Sequence, residues 1–344
     1  MTDSDVRYRT GAIAKRLLFI PVAVFIVITL AFGLVNLTPG DPALVIAGDL
    51  AADEQVAEIR AELGTDKPVP QRYAAYVREL FTERSLGTSF FTKRPIWDEI
   101  TQRFPDTLEL VVLGLLGAVL YGSLLGTLSS YFRRRWPDTL SRTSVTITQS
   151  IPDFFMGLLL IYVIFYIIGW APAPVGRIGL LDRPPDRVTG AVILDTLIAR
   201  DWGLLKTAFH HAMLPVVTLA LFYSSHFAKT TRAVLSRALN SDQVEFARAC
   251  GLSELRVVGY AFREARTPVV TYIGILFAAL FGGAAIVETV FAWGGLGQWA
   301  IDAMLKLDVP AIQGFILVVG LLTLLVYLLL DLIVVALDPR VSYE

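Results

Sequence analysis

The chain has 344 residues, of which 55% are hydrophobic and 18% charged, and its formal net charge is −1. A soluble domain usually carries about 25% charged residues, so this composition argues against a water-soluble fold, and the near-neutral balance offers no electrostatic footprint for a nucleic acid. The single cysteine, Cys250, excludes an intrachain disulfide and any cysteine-based metal cluster.

Charge is clustered, and six long apolar stretches lie between the clusters. In chain order they are 17–37, which follows Lys15 and Arg16; 110–132, which ends against Arg133, Arg134 and Arg135; 143–168, with Asp153 near one end; 207–228; 267–287; and 309–330. About 20 apolar residues at 1.5 Å rise span the hydrocarbon of a bilayer. Backbone amides in lipid must be satisfied within the segment, and runs this continuously apolar lack the alternation of a barrel strand. The predicted fold is therefore an all-α membrane protein with six transmembrane helices. The first stretch is too long for a signal h-region and has no clear small-residue cleavage site after it, so it is read as a retained span. The expected organisation is an N-terminal segment (1–16), a six-helix domain (17–336) and a short tail (337–344).

Six spans place both termini on one side. Arg7, Arg9, Lys15 and Arg16, the four arginines of 133–142 and the seven basic residues of 229–266 all fall on that side, so by the bias of Lys and Arg it is the cytoplasmic one. The outer segment 38–108 contains two helical patterns: Val56, Ile59 and Leu63 on one face, stopped by Gly64, and Tyr73, Val77 and Leu80 on another. Both predict short amphipathic helices over the outer mouth. The second outer segment, 171–206, is rich in Pro, Gly and charge and reads as an irregular lid.

The cytoplasmic loop 229–266 carries "QVEFARACGLSELRVVGYAFREARTP" across 243–268. Ser241 or Asp242 is placed to cap a short helix near Gln243, Gly251 to break it, and Ser253 to cap a second helix up to about Arg266. Pro268 opens the next span and biases Thr267 away from helical geometry. Two short helices hinged at a glycine and rooted in two spans make a rigid lever; a solvated basic connector is the plainer alternative.

This loop resembles the cytoplasmic coupling loop of ABC importer permeases, with Glu245 at the acidic position, Ala247 at an alanine position and Gly251 at the fixed glycine. The interval from Gly251 to Pro268 is similar to that of the oligopeptide/dipeptide/nickel branch. Other stretches resemble that branch in order: "NLTPGDPA" (36–43), "SLGTSFFTKRPIWDEITQRFPDTLEL" (85–110), "SIPDFFMGLLLI" (150–161), "HHAMLPVVTLAL" (210–221), "ETVFAWGGLGQW" (288–299) and "LDPRV" (337–341). The first of these, with the long outer segment after it, points to the B-type permease, the first of the two partner subunits. Three positions depart from the pattern: Cys250 stands where a basic residue is usual, Glu264 where asparagine is usual, and Gly294 where proline is common.

The resemblance implies the type I importer permease fold, pairing with a second homologous permease, two cytoplasmic ATPase subunits and an extracytoplasmic substrate-binding protein. It assigns Glu245, Phe246, Ala247, Arg248, Ala249, Gly251, Leu252 and Pro268 to ATPase coupling. Peptides are the expected cargo, with nickel or another small solute as the alternative and a self-contained channel or secondary transporter as the rival class. No GxxxxGK[ST] loop occurs, so ATP hydrolysis is expected in separate chains and no catalytic residue, cofactor or metal is assigned. His211 and His226 lie about four helical turns apart, too far to share an ion. Gln149, Ser224, Ser225 and Gln313 are the candidate pathway residues, with hydrogen bonding between helices as the alternative role. Asp153 is expected to snorkel or to pair with an arginine, and the glycines of the second and fifth spans to permit close helix packing.

Overall fold

The computed structural model describes residues 3–37, 40–48 and 51–337, and the side chains of residues 18–334 within them. The tail after residue 337, most of "LDPRV" and the centre of "NLTPGDPA" therefore lie outside the described residues, as do the side chains of the basic N-terminal cluster. The described chain is helical, with one isolated bridge between Thr88 and Pro95. Its helices are α1 (Asp3–Leu37), α2 (Pro42–Ala47), α3 (Asp53–Glu62), α4 (Val69–Arg78), α5 (Ile96–Tyr131), α6 (Trp136–Ser150) and α7 (Asp153–Leu160). They continue with α8 (Val192–Ala199), α9 (Trp202–Ala238), α10 (Asp242–Ala249), α11 (Glu254–Glu264), α12 (Arg266–Val290), α13 (Leu296–Leu305) and α14 (Val309–Leu337). The chain divides into two compact units, Met1–Pro105 with Gly294–Leu325, and Asp106–Trp293 with Val326–Glu344.

Five of these helices have the length and apolarity to cross a bilayer: α1, α5, α9, α12 and α14. The sixth expected span differs from its prediction. Residues 143–168 are not one helix: α6 and the helix that begins at Asp153 meet at 101°. The cause is Pro152, which lacks an N–H and pushes the residue before it out of the α region; Ile151 is accordingly extended, with φ −102° and ψ 122°. The apolar part of that span runs from Asp153 through α7 and a π-helical continuation, Ile161–Ile167. Asp153 does not pair with an arginine among the described residues. It stands in the first turn of α7, where the helix dipole favours a carboxylate, and its Oδ1 accepts the Phe154 N–H at 2.8 Å.

In the first unit, Ile28 and Ala31 of α1 are buried with Leu317 of α14, and Val77 and Leu80 pack on the same cluster. Tyr73 completes the expected face of α4, its ring 5.1 Å from Phe32 and its hydroxyl 2.8 Å from that of Thr29. On α3, Val56 is buried, and the helix ends before Gly64, whose φ is +65°. A second cluster joins Ile96 and Ile100 of α5, Leu296 and Trp299 of α13, and Ile312 of α14. Within it the Trp299 indole donates to Glu99 Oε2 at 2.7 Å.

The second unit holds α9 at its centre. Gly114, Gly117, Gly122 and Gly126 line the side of α5 that faces α9. A Cβ at Gly122 would stand 2.8 Å from the Ser224 carbonyl oxygen, and one at Gly126 2.9 Å from that of Ala228. The helices approach backbone to backbone, as small residues allow. Gly283 of α12 makes room for the Tyr223 side chain, whose hydroxyl donates to the Ala279 carbonyl at 3.1 Å. Two stretches singled out in the sequence converge at the other end of α5: Thr107 donates to the fully buried Glu288 at 2.5 Å, and the Trp293 indole donates to the Asp106 carbonyl at 2.9 Å.

The segment 171–206 is more ordered than the irregular lid expected of it, because it contains α8. Glu109 Oε1 accepts the Ile193 N–H at 2.8 Å, satisfying an N-terminal donor of that helix, and Arg177 pairs with Asp106. Asp195 is buried and accepts the Thr189 hydroxyl at 2.7 Å and the N–H groups of Thr189 and Gly190 at 2.7 and 3.0 Å. His211 bonds the Gly176 carbonyl at 3.2 Å and His210 that of Trp170, just before the segment, at 2.9 Å, tying this part of the chain to α9.

Candidate functional site

The loop between α9 and α12 folds as two short helices on a small core of its own. Leu235, Ala238 and Leu239 at the end of α9, Val244 of α10, Val257 and Ala261 of α11, and Ala265 at the start of α12 are buried together. Helix α10 starts with Asp242 and Glu245 in its first turn, where the dipole favours acids. Ser241 and Ser253 occupy the N-cap positions, but neither side chain caps its helix. The Ser241 hydroxyl is used instead to close the loop: it lies 2.8 Å from both the Ala238 carbonyl and Glu264 Oε2.

Helix α10 ends in a left-handed cap. Gly251 has φ +76°, its N–H donates to the Arg248 carbonyl at 2.9 Å, and the Leu252 N–H donates to the Ala247 carbonyl at 3.2 Å. These are the two bonds of a Schellman motif, which is completed by an apolar contact between the same outer pair. Ala247 is buried and Leu252 packs on the loop core. Nothing stands within 4 Å of a Cβ built on Gly251, so the glycine is required by its φ and not by space. Arg248 braces the turn from outside, with Nε 3.3 Å from Glu254 Oε1 and Nη1 3.4 Å from the Leu239 carbonyl.

Of the eight residues assigned to coupling, Glu245, Phe246, Arg248, Ala249 and Gly251 are exposed along α10 and its end, whereas Ala247 and Leu252 face inward. Pro268 is exposed but stands apart, as the third residue of α12. Thr267 is helical, contrary to its expected bias, because α12 already begins at Arg266. A proline in the first turn lacks only an N–H that has no intrahelical partner anyway. Two bulky apolar side chains project from the loop: Phe246 is 71% exposed and Leu255 86%. Leu255 went unnoticed in the sequence, yet it lies two residues from the buried Val257, about 200° around the helix. Gly294, where proline is common, has φ +78°, a value proline cannot adopt.

The four pathway candidates are distributed over both units. Ser224 and Ser225 are buried, and their hydroxyls donate to the Leu221 and Phe222 carbonyls of their own helix, each at 2.7 Å. Gln149 is half-buried, accepts from Lys229 and lies 3.5 Å from His226 Nδ1. Gln313 belongs to the first unit and lines a cavity of about 480 Å³ there, with Phe32, Arg72 and Tyr76.

Two family descriptions match the chain. "Binding-protein-dependent transport system inner membrane component" covers residues 119–343, and the corresponding N-terminal description covers residues 12–111. A probable D,D-dipeptide transport system permease protein of Escherichia coli (strain K12) is 39% identical over 317 residues, 92% of this chain and 93% of that protein. A di/tripeptide transport system permease protein of Pseudomonas aeruginosa (strain UCBPP-PA14) is 37% identical over 335 residues, 96% of this chain and 98% of that protein. Among solved structures, a chain of the MetNI methionine ABC transporter in an inward-facing conformation aligns with a TM-score of 0.52 at 18% identity, covering 68% of this chain and 93% of that one; at that identity the likeness concerns the fold. The chain belongs to the family of binding-protein-dependent transport system inner membrane components, and within it to the B-type permeases of the oligopeptide/dipeptide/nickel branch of ABC importers.

Proposed function

We propose that this permease carries peptides across the plasma membrane, with both termini in the cytoplasm. A second, homologous permease completes the pathway, two cytoplasmic ATPase subunits supply the energy, and an extracytoplasmic binding protein delivers the cargo. The peptide cargo rests on the names of two relatives that align over more than nine-tenths of the chain. The cytoplasmic termini rest on the Lys and Arg bias of the loops.

The coupling role of the loop rests on one observation: a firmly packed pair of short helices leaves Phe246 and Leu255 in the open. Large apolar side chains exposed on a loop anchor protein interfaces when they enter a partner's pocket. Glu245, Phe246, Arg248, Ala249 and Gly251 form the contact surface in this reading, while Ala247, Leu252 and Pro268 hold its shape.

The test is co-expression with the ATPase, second-permease and binding-protein partners. Phe246→Ala should leave the permease pair inserted and intact, reduce recovery of the ATPase subunits, and abolish peptide-stimulated ATP hydrolysis. Full ATPase recovery and normal peptide uptake by this variant would refute the coupling role. Uptake that responds to no di- or tripeptide, with hydrolysis still stimulated by the loaded binding protein, would refute the cargo alone.

A further inference from the structure

The end of α5 and the start of α6 form a predominantly apolar groove of about 530 Å³, lined by Leu125, Leu128, Phe132 and Leu140, with Arg135 and Trp136 also in its wall. This is the size of a small-molecule site, about 300–1,000 Å³, and it lies at the last turns of a membrane-spanning helix. The adjoining helix has two faces. Ser141, Val145 and Thr148 of α6 are buried, whereas Trp136, Leu140 and Ile147 are exposed by 76, 62 and 57%. The exposed three are spaced by four and seven residues, so they share one side of the helix. Because α6 and the helix from Asp153 meet at 101°, a bilayer crossed by the latter would have α6 along its surface. An apolar stripe headed by tryptophan suits that position.

The charge beside the groove is unbalanced. Arg133, Arg134 and Arg135 are consecutive and exposed, and none of their side chains has an acidic partner among the described residues. The acid nearest in sequence is already committed: Asp138 is buried and accepts from the Ser129 hydroxyl at 2.6 Å and the Arg134 N–H at 3.0 Å, and it pairs with Arg232 at 3.4 Å. The arrangement thus combines an apolar groove, an amphipathic helix and three guanidinium groups with no acidic partner among the described residues.

We propose that this groove binds an anionic phospholipid, with an acyl chain along Leu125, Leu128, Phe132 and Leu140 and the phosphate at the arginine turn. Guanidinium groups bind phosphate oxygens in bidentate fashion, and basic pockets at the membrane surface select anionic headgroups. An apolar helix of the second permease is the competing occupant. It would fill the groove but leave the three arginines without partners, and the charge therefore favours the lipid.

The assembled importer, in nanodiscs of equal phosphatidylglycerol and phosphatidylcholine, is released into detergent, and its retained lipids are counted by native mass spectrometry. Phosphatidylglycerol should be retained preferentially. R133Q/R135Q should reduce that preference by roughly fivefold for each arginine removed, while R133K/R135K keeps most of it. Ser144→Phe, which fills the groove without altering charge, should lower phosphatidylglycerol retention as well. A photoreactive residue in place of Leu140 should form its adduct with phospholipid. Equal retention of the two lipids by the wild type, or an undiminished preference in R133Q/R135Q, overturns the proposal. So does an adduct with the second permease, which would assign the groove to the subunit interface, and so does loss of the preference on adding inorganic phosphate alone, which would make it a free-anion site.

Discussion

Gly251 offers the most direct test of the loop's design. Its φ of +76° lies in the left-handed region, and a Cβ there would find open space within the chain. The penalty for a side chain is therefore conformational, about 1–2 kcal/mol for an L-residue. Gly251→Ala should raise the local opening equilibrium of α10 and α11 by roughly 5–30-fold, the factor that corresponds to that energy. Gly251→Asn should cost less, because asparagine tolerates this region, and Gly251→Val more, because a β-branched residue does not. Hydrogen exchange of residues 242–264, measured by mass spectrometry on the nanodisc-embedded importer, reads the equilibrium directly, with the spans as internal control. ATP hydrolysis and uptake are measured on the same samples. Since no atom of the described residues crowds the position, any loss of ATPase recovery by Gly251→Val beyond what its exchange rate accounts for measures a partner surface that faces the loop. Wild-type exchange in all three variants would refute the left-handed cap. Wild-type exchange together with normal uptake would reduce the loop to a solvated connector.

Four further outcomes are expected. Cys250 is exposed, so a membrane-impermeant thiol reagent should label it in inside-out vesicles stripped of ATPase but not in intact cells; labelling only in intact cells reverses the orientation. Gly122→Ala should destabilise the permease by about 1–3 kcal/mol through overpacking, because its Cβ would press on the Ser224 backbone. Gly259→Ala, in the interior of α11 with nothing within 4 Å, should instead stabilise the loop by about 0.5–1 kcal/mol; thermal melts of the two variants that agree in sign would contradict the packing. Burial of Asp195 by itself would raise its pKa, but the bonds from the Thr189 hydroxyl and the N–H groups of Thr189, Gly190 and Val188 prevail and hold it below the usual carboxylate range. The stability this contributes is complete above the ordinary aspartate value of about 3.9 and is lost as pH falls through the lower folded value. Residues 171–206 should therefore keep their protection against exchange at pH 5 and lose it only under stronger acid, whereas Asp195→Asn should lose protection at neutral pH.

Several features of the fold follow from local rules and were legible in the sequence. The five unbroken spans stand out by length without charge, and the cap at Gly251 by a glycine between two amphipathic patterns. The break at Pro152 was equally local, but an uninterrupted apolar run concealed it: hydropathy counts residues and does not register that Ile151 cannot remain helical. Helix α8 was not legible, because the group that satisfies its N-terminus, Glu109, comes 84 residues earlier. The serines of α9 show the same limit. A hydroxyl in an apolar span has the same sequence signature whether or not it donates to its own helix, as that of Ser224 does to the Leu221 carbonyl.

The packing also suggests how a force on the loop would travel. The loop core contains residues of both flanking helices, Leu235 and Leu239 from α9 and Ala265 at the foot of α12, so α10 and α11 cannot tilt without displacing one of them. Tyr223 joins α9 to α12 through the Ala279 carbonyl and the surface of Gly283. The glycine row of α5 lies directly against α9, meeting the side chains of Leu219, Ala220 and Thr231 and, at Gly122 and Gly126, the carbonyls of Ser224 and Ala228. Closely packed interiors transmit strain because they have few voids into which to deform. In the coupling reading, a partner that moved Phe246 would therefore shift α9, α12 and the adjoining part of α5 together. The glycines that make α5 an unremarkable apolar run in sequence are what join it to the lever.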